Sequence, residues 1–147
     1  MLQETYEKFR KKHSLPEFEK LDAEFNISAI EENGKPLHAI REKIEEKIEF
    51  FIDILNIILQ PDTNSFSELY ECRFFSEEEK IKALELFKQI MIVDRSLVEA
   101  EVLSDEKNDA EVIKEAYELV TKIKQDLLPF VRKMKDIWKK PTGRKEI

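Results

Sequence analysis

The sequence predicts an all-α fold, a single-domain helical bundle of three long and two to three short helices. Only two glycines occur among the 147 residues, and both lie outside the segments with regular apolar spacing. Charged residues make up 39% of the chain and hydrophobic residues 41%, a balance typical of helices with solvated outer faces. Apolar residues recur at helical spacing between residues that start and stop helices. We expect residues 1–140 to form the bundle and residues 141–147 to form a flexible basic tail.

The segment from Pro36 to Gln60 is predicted to be the central helix. Its first half is amphipathic, with an apolar stripe on one face and glutamates on the other. From residue 50 onward the apolar arc widens to nearly the whole circumference. We therefore expect Phe50, Ile54 and Ile57 to be covered by neighbouring helices. The stripe comprises Leu37, Ile40, Ile44, Ile48, Phe51 and Leu55.

Two short helices are predicted before the central one. Apolar spacing predicts the first over residues 2–12. Ser14 and Glu17 match a capping box, which predicts the start of the second. Asn33-Gly34 is a turn signal in the connection that follows. The buried residues are predicted to be Leu2, Tyr6 and Phe9 in the first helix, and Leu15, Phe18, Leu21 and Phe25 in the second.

Two further helices are predicted after Pro61, which ends the central helix. Two more capping-box pairs, Ser65 with Glu68 and Ser76 with Glu79, predict a short helix followed by a long one. The buried face of the long helix is predicted to comprise Ile81, Leu84, Phe87, Met91, Val98 and Val102.

The last long helix is predicted to run from about Asp109 to Lys140, after a polar break at residues 104–109. A helix that continues through these residues is the alternative. Pro129 lies inside it and removes one backbone donor, so we expect a kink there. The buried face is predicted to comprise Ile113, Ala116, Val120, Ile123, Leu127, Val131 and Met134.

The charge distribution and the cysteine content argue against several functional classes. The net charge is −7, but residues 106–147 carry 11 basic and 8 acidic side chains. A nucleic-acid-binding field over the whole molecule is therefore not expected. The single Cys72 excludes an internal disulfide and a thiolate-rich zinc site. No signal peptide is indicated at the N-terminus, and residues 50–59 are too few to span a bilayer. These features predict a cytoplasmic protein.

Four charged residues interrupt or border the predicted apolar faces and are candidate ligand-binding residues: Asp94, Glu101, Lys124 and Arg41. Asp94 lies near the middle of its face, and Glu101 lies two turns further along it. An unpaired buried carboxylate would cost several kcal/mol, so Asp94 requires a partner. Three interpretations stay open: a structural ion pair, a polar pocket in which a ligand replaces one partner, or an Asp94 that is more exposed than the helical wheel implies. The candidate partners are Lys124, Arg41, Arg73 and Arg95.

Metal and catalytic motifs are not indicated. Neither His13 nor His38 stands in the Glu-x-x-His spacing of helical di-metal sites. Glu46-x-x-Glu49 resembles half of the acidic motif of all-α nucleotide pyrophosphohydrolases. This pair faces away from the apolar stripe, and no Glu-x-x-Asp pair follows on the next long helix. We predict no metal and no cofactor, and the lack of phosphate-loop or nucleophile motifs favours a non-enzymatic role.

A candidate interaction surface is predicted around Tyr70, Arg73, Phe74 and Trp138. The hexapeptide at residues 70–75 joins two helices and contains three aromatic rings, a cysteine and an arginine. It is interpreted as a rigid corner or, alternatively, as a set of anchors for another protein. Trp138 lies among basic residues of the last helix, which are suited to an acidic partner, RNA or a membrane surface.

Three functional hypotheses follow. The favoured one is a non-enzymatic protein-interaction module, an adaptor, scaffold or self-associating bundle whose partner is another protein or a second copy in a homodimer. An alternative is a small-molecule site or enzyme in the bundle interior that uses Asp94 and Lys124. A second alternative is binding of nucleic acid or anionic lipid by the basic C-terminal helix.

Overall fold

The computed structural model describes residues 2–31 and 34–141, and over these ranges it is all-helical, which confirms the predicted helical bundle. A 3₁₀ turn, Ile27–Ala29, lies in the connection before the third α-helix. No helix within the described ranges is long and apolar enough to cross a bilayer. The α-helices are α1 (Leu2–His13), α2 (Phe18–Phe25), α3 (Pro36–Leu59), α4 (Phe66–Cys72), α5 (Glu77–Leu103) and α6 (Glu106–Lys139).

The three long helices α3, α5 and α6 pack against one another pairwise, and α1 and α2 pack on α3 and α6. Only Ser104 and Asp105 join α5 to α6, so these two helices form an antiparallel hairpin. Buried residues recur at alternating steps of three and four, the spacing of helices that interlock along a seam. In α5 these are Ala83, Leu86, Ile90, Val93, Leu97 and Ala100, and in α6 they include Ile113, Ala116, Val120, Ile123, Leu127, Phe130, Met134 and Ile137.

The central helix α3 begins at Pro36, as predicted, and ends at Leu59, one residue before the predicted end, and its apolar stripe is buried. The prediction that Phe50 is covered is wrong, since this residue is 56% exposed. Phe50 shares a face with the exposed Glu46 and Asp53, one turn to either side. Neighbouring helices therefore leave this strip of α3 open to water.

The capping box predicted at Ser14 and Glu17 is wrong. Ser14 has a left-handed backbone (φ 55°) and ends α1, with the Leu15 N–H donating to the Arg10 carbonyl. Glu17 takes the N-cap position of α2 with an extended backbone. The predicted Asn33-Gly34 turn includes Asn33, which lies outside the described residues, as do residues 142–147 of the predicted tail.

The capping boxes predicted at the starts of α5 and α4 are formed, the first fully and the second in part. At α5 the Ser76 hydroxyl accepts from the Glu79 N–H at 3.1 Å and the Glu79 carboxylate accepts from the Ser76 N–H at 2.9 Å. The predicted box is confirmed. At α4 the Ser65 hydroxyl accepts from the Glu68 N–H, but the Glu68 carboxylate accepts from the N–H of Asp62 instead. Half of that box is therefore formed.

The predicted buried face of α5 is wrong. Ile81, Leu84, Val98 and Val102 are exposed, and the buried seam lies on the stripe that starts at Ala83. The helix has two apolar stripes with similar spacing, and the small alanines at positions 83 and 100 made the buried one less conspicuous. Small side chains let neighbouring helices approach closely, which favours their burial.

The last helix α6 starts at Glu106, three residues earlier than predicted, because Asp105 caps it through the Asn108 N–H at 2.8 Å. The predicted break is real but only two residues long. Pro129 lies inside a helix of 34 residues, and the kink expected there stays a prediction. Phe130 is buried where Val131 was expected, and Val131 is exposed.

Candidate functional site

Arg41 is fully buried at the end of the bundle where α3 and α6 begin and α5 ends. Its Nε donates to Oδ1 of Asp109 at 2.9 Å, and Nη1 donates to Oε1 of Glu45 at 3.2 Å. Its Nη2 donates to Oε2 of Glu101 and lies 2.6 Å from Nδ1 of His38. The guanidinium therefore ties the three long helices together.

The structure thus brings together Arg41 and Glu101, two of the four predicted ligand-binding residues. Sequence reasoning missed Asp109, which is buried one helical turn before Ile113 on the inner face of α6. The step of four residues from Asp109 to Ile113 could have identified Asp109, because an acid on the buried face of a helix requires a cationic partner.

Burial and the arginine act in opposite directions on the acids of this cluster. Burial raises the pKa of Asp109 and the pKa of Glu45, and the charge of Arg41 opposes both shifts. The hydrogen bond from Arg41 lowers the pKa of the exposed Glu101. Because Arg41 donates to Nδ1 of His38, the Nε2 atom of that ring is suited to donate to Glu42, which lies 2.8 Å away.

A pocket of about 190 Å³ opens beside the Arg41 cluster. Its acidic lining residues already bond to the protein: Asp105 to Asn108, Glu106 to Lys12 and His13, and Asp109 to Arg41. A ligand that bound through these carboxylates would share them with the protein groups that they already contact. The contacts of Arg41 join α3, α5 and α6, as expected for a structural ion cluster.

Asp94 and Lys124 are placed in separate ion pairs. Asp94 bonds to the adjacent Arg95 at 2.7 Å, and Arg95 is one of the partners considered from the sequence. Lys124 bonds at 2.7 Å to Glu24 of α2. Exposed pairs of this kind contribute roughly 0–1 kcal/mol to stability.

The four residues predicted as an interaction surface meet at the opposite end of the bundle. The ring centroid of Tyr70 lies 5.2 Å from that of Phe74, in an edge-on arrangement, and 5.0 Å from that of Trp138. The guanidinium of Arg73 lies 5.6 Å over the Tyr70 ring. Phe66, which the prediction missed, stacks on Tyr70 at 5.8 Å. We call Phe66, Tyr70, Phe74 and Trp138 the aromatic cluster.

Helices α4 and α6 position the aromatic cluster. Phe66, Tyr70 and Phe74 follow at steps of four, so they align along one side of α4 and its C-terminal turn. Trp138 comes from the last turn of α6, and its Nε1 donates to Oε2 of Glu71 at 2.9 Å. The step of four from Tyr70 back to Phe66 was the signal that could have identified the missed residue.

The aromatic cluster combines exposed rings with cations. Phe66 is 75% exposed and Trp138 is 48% exposed. The ammonium of Lys140 lies 5.3 Å over the Phe74 ring. Tryptophan, tyrosine and arginine are the residue types that contribute most of the energy at protein interfaces.

Potential metal ligands do not converge in the part of the chain that the structure describes. No group of three or more His, Cys, Asp or Glu side chains there is arranged to hold a metal ion. Glu46 of the Glu46-x-x-Glu49 pair lies on the surface, 3.5 Å from Lys43.

No family model, no curated protein and no solved structure matches this chain.

Proposed function

We propose that the protein is a non-enzymatic helical interaction module that binds another protein through the aromatic cluster together with Arg73 and Lys140. The observation that carries this proposal is the convergence of three rings from α4 and its C-terminal turn with Trp138 of α6. The Phe66 and Trp138 rings of this cluster are exposed, and the Tyr70 and Phe74 rings are half-buried beneath them. Binding energy at protein interfaces concentrates in such aromatic and arginine anchors.

The exposure of Phe66 and Trp138 favours a binding surface over a corner that only fills the core. Phe75, in the same hexapeptide at residues 70–75, does fill the core. It is 4% exposed, and its ring centroid lies 6.0 Å from that of Phe130. Phe66 and Trp138 project large apolar areas into water instead. Such a surface is stabilised when a partner covers it.

The charges around the cluster indicate the chemistry of the partner. Arg73 and Lys140 lie over the rings of Tyr70 and Phe74, while the carboxylate of Glu71 is bonded to Trp138. A protein segment with apolar side chains flanked by acidic ones is complementary to this pattern.

The alternative of a small-molecule site or enzyme in the bundle interior has less support. Asp94 and Lys124, on which it rests, lie in separate ion pairs. The Arg41 cluster uses its polar atoms on protein partners. Cytoplasmic localisation stays a prediction from cysteine content.

Affinity capture from native lysate with matched variants tests the proposal. The double variant Phe66→Ala, Arg73→Glu removes one exposed ring and reverses one cation of the surface. We expect it to lose a partner that the wild type retains, with the dissociation constant of the purified partner raised on the order of 100-fold.

The control is Phe50→Ala, Lys8→Glu, which makes the same changes of size and charge at exposed positions of α3 and α1. Both variants should keep the wild-type helical circular dichroism. Equal partner capture by both variants would contradict the proposal.

A further inference from the structure

The imidazole of His38 lies in the first turn of α3, beside the buried Arg41, and its side chain is 33% exposed. Its two ring nitrogens face groups of opposite charge. Nδ1 lies 2.6 Å from Nη2 of Arg41, and Nε2 lies 2.8 Å from Oε1 of Glu42. Each nitrogen therefore has a defined role, because a guanidinium only donates hydrogen bonds and a carboxylate only accepts them.

The contact with Arg41 requires a neutral ring. Nδ1 of His38 must present its lone pair in order to accept from Nη2. Protonation would place a hydrogen on Nδ1 and direct it at a hydrogen of Nη2. The contact would then join two donors that both carry positive charge. This arrangement and a protonated ring therefore exclude each other.

The ring also has acceptors for its protonated state. Glu42 already accepts from Nε2, and Oε2 of Glu101 lies 4.0 Å from Nδ1. Acids outnumber cations among the charged groups around the ring, so both protonation states have partners within reach. These groups are Lys35, Arg41 and Glu42 of the α3 segment, with Glu45 bonded to Arg41; Glu101 of α5; Asp105, Glu106 and Asp109 at the start of α6; and Lys12 and His13 of α1, which pair with Glu106.

The surroundings leave room for His38 to change partners. A hydrogen bond of about 2.8 Å from Nδ1 to Glu101 requires the two atoms to approach by roughly 1 Å. The ring lines the pocket of about 190 Å³ beside the Arg41 cluster, so open space adjoins it. The side chain of Glu101 is 61% exposed and is free to follow the ring.

We propose that His38 is a pH-dependent switch between α3 and α5. The neutral ring accepts a hydrogen bond from Arg41. The protonated ring turns away from Arg41 and donates from Nδ1 to Glu101, which adds a second ion pair between α3 and α5. Imidazoles change charge at about pH 5–8, whereas the bonds from Arg41 to Asp109 and Glu45 do not depend on the ring.

This switch lies at the end of the bundle opposite the aromatic cluster. It therefore goes beyond the proposed function, and either proposal can fail without the other.

Nitrogen-15 NMR of the imidazole rings tests the two states, with His13→Gln used to identify the His38 signals. We expect the Nε2–H tautomer of His38 at about pH 8 and a ring protonated on both nitrogens at about pH 5. The Arg41 Nε–H signal should shift with the same midpoint. This shift should vanish in His38→Gln, whose side-chain oxygen can accept from Arg41 but does not titrate. An Nδ1–H tautomer at about pH 8, a ring still neutral at about pH 5, or an Arg41 shift that persists in His38→Gln would overturn the proposal.

The variant Glu101→Gln tests the acceptor of the protonated ring. It replaces the carboxylate by a neutral amide of the same shape, so the midpoint of the His38 titration should fall by roughly half a pH unit. Glu99→Gln is the matched control at an exposed position of the same helix, in a groove lined by residues of α5 alone, and should leave the midpoint unchanged. Both variants should keep the wild-type circular dichroism. Equal midpoints in the two variants would show that the protonated ring does not bind Glu101, which would overturn the proposal.

Discussion

Arg41 illustrates how one buried charge is accommodated. Its side chain is shielded from water, and three carboxylates from the three long helices surround it. Burial opposes its charge, but the hydrogen bond to Glu101 and the neighbouring acids raise the pKa of Arg41 above its ordinary value. The arginine therefore stays charged, and its bonds require one register of the helices.

Removing Arg41 should destabilise the bundle mainly through Asp109. Arg41→Met leaves the Asp109 carboxylate buried without its cation, and we expect a loss of about 3–5 kcal/mol in the free energy of unfolding. The double variant Arg41→Met, Asp109→Leu should recover much of that loss, because the remaining acids, Glu45 and Glu101, can reach water. Urea denaturation followed by circular dichroism measures both effects. A single variant within 1 kcal/mol of wild type would show that the cluster contributes little.

At the residue level, sequence reasoning identified part of each site. It singled out Arg41 and Glu101, which the structure brings into contact, and Tyr70, Arg73, Phe74 and Trp138, which the structure brings together. Their role as anchors for a partner stays a prediction. Sequence reasoning could not decide which charged groups would meet, because Asp94 had four possible partners and the adjacent Arg95 is the one it contacts. Pairing depends on the relative rotation of the helices, which local spacing leaves undetermined.

Helix ends follow local chemistry more closely than helix faces do. The capping box at Ser76 and Glu79 and the proline at position 36 were recognisable because a cap needs only residues a few positions apart. Ser14 shows the limit of such signals, since its left-handed backbone ends α1 instead of starting α2. The choice between the two stripes of α5 depends on the partners that surround it. Composition favoured the stripe with larger side chains, and packing buried the one with alanines.

The start of α5 provides a pH-dependent test. The carboxylate of Glu79 is partly desolvated, but it accepts bonds from Lys133 and Ser76, and the net effect lowers the pKa of Glu79. Its stabilising effect is therefore present above the unfolded-state pKa and is lost as the pH falls through the folded-state pKa. Glu79→Gln should be less stable than wild type by about 1 kcal/mol at pH 7, with a difference that shrinks toward pH 3. Urea denaturation at the two pH values measures this, and a constant difference would contradict the assignment.

The whole molecule is a bundle with two ends of different character. At one end, buried ions connect α3, α5 and α6. At the other, aromatic rings and cations connect α4 to the last turn of α6, and the rings of Phe66 and Trp138 are exposed to water. The all-α class and the helix order followed from glycine content and apolar periodicity, since these reflect local chain properties. The placement of buried ions at one end and aromatic rings at the other could not be predicted in the same way, because it depends on how the helices pack in three dimensions.

Hydrogen–deuterium exchange of the chain, alone and with the partner isolated by affinity capture, tests the central claim most directly. We expect binding to slow amide exchange at residues 65–75 and 130–140, where α4 and the end of α6 hold the aromatic cluster. Exchange in α1 and α2, on another side of the bundle, should remain at the rate of the free protein. Protection confined to α1 and α2, with unchanged exchange at residues 65–75, would contradict the account.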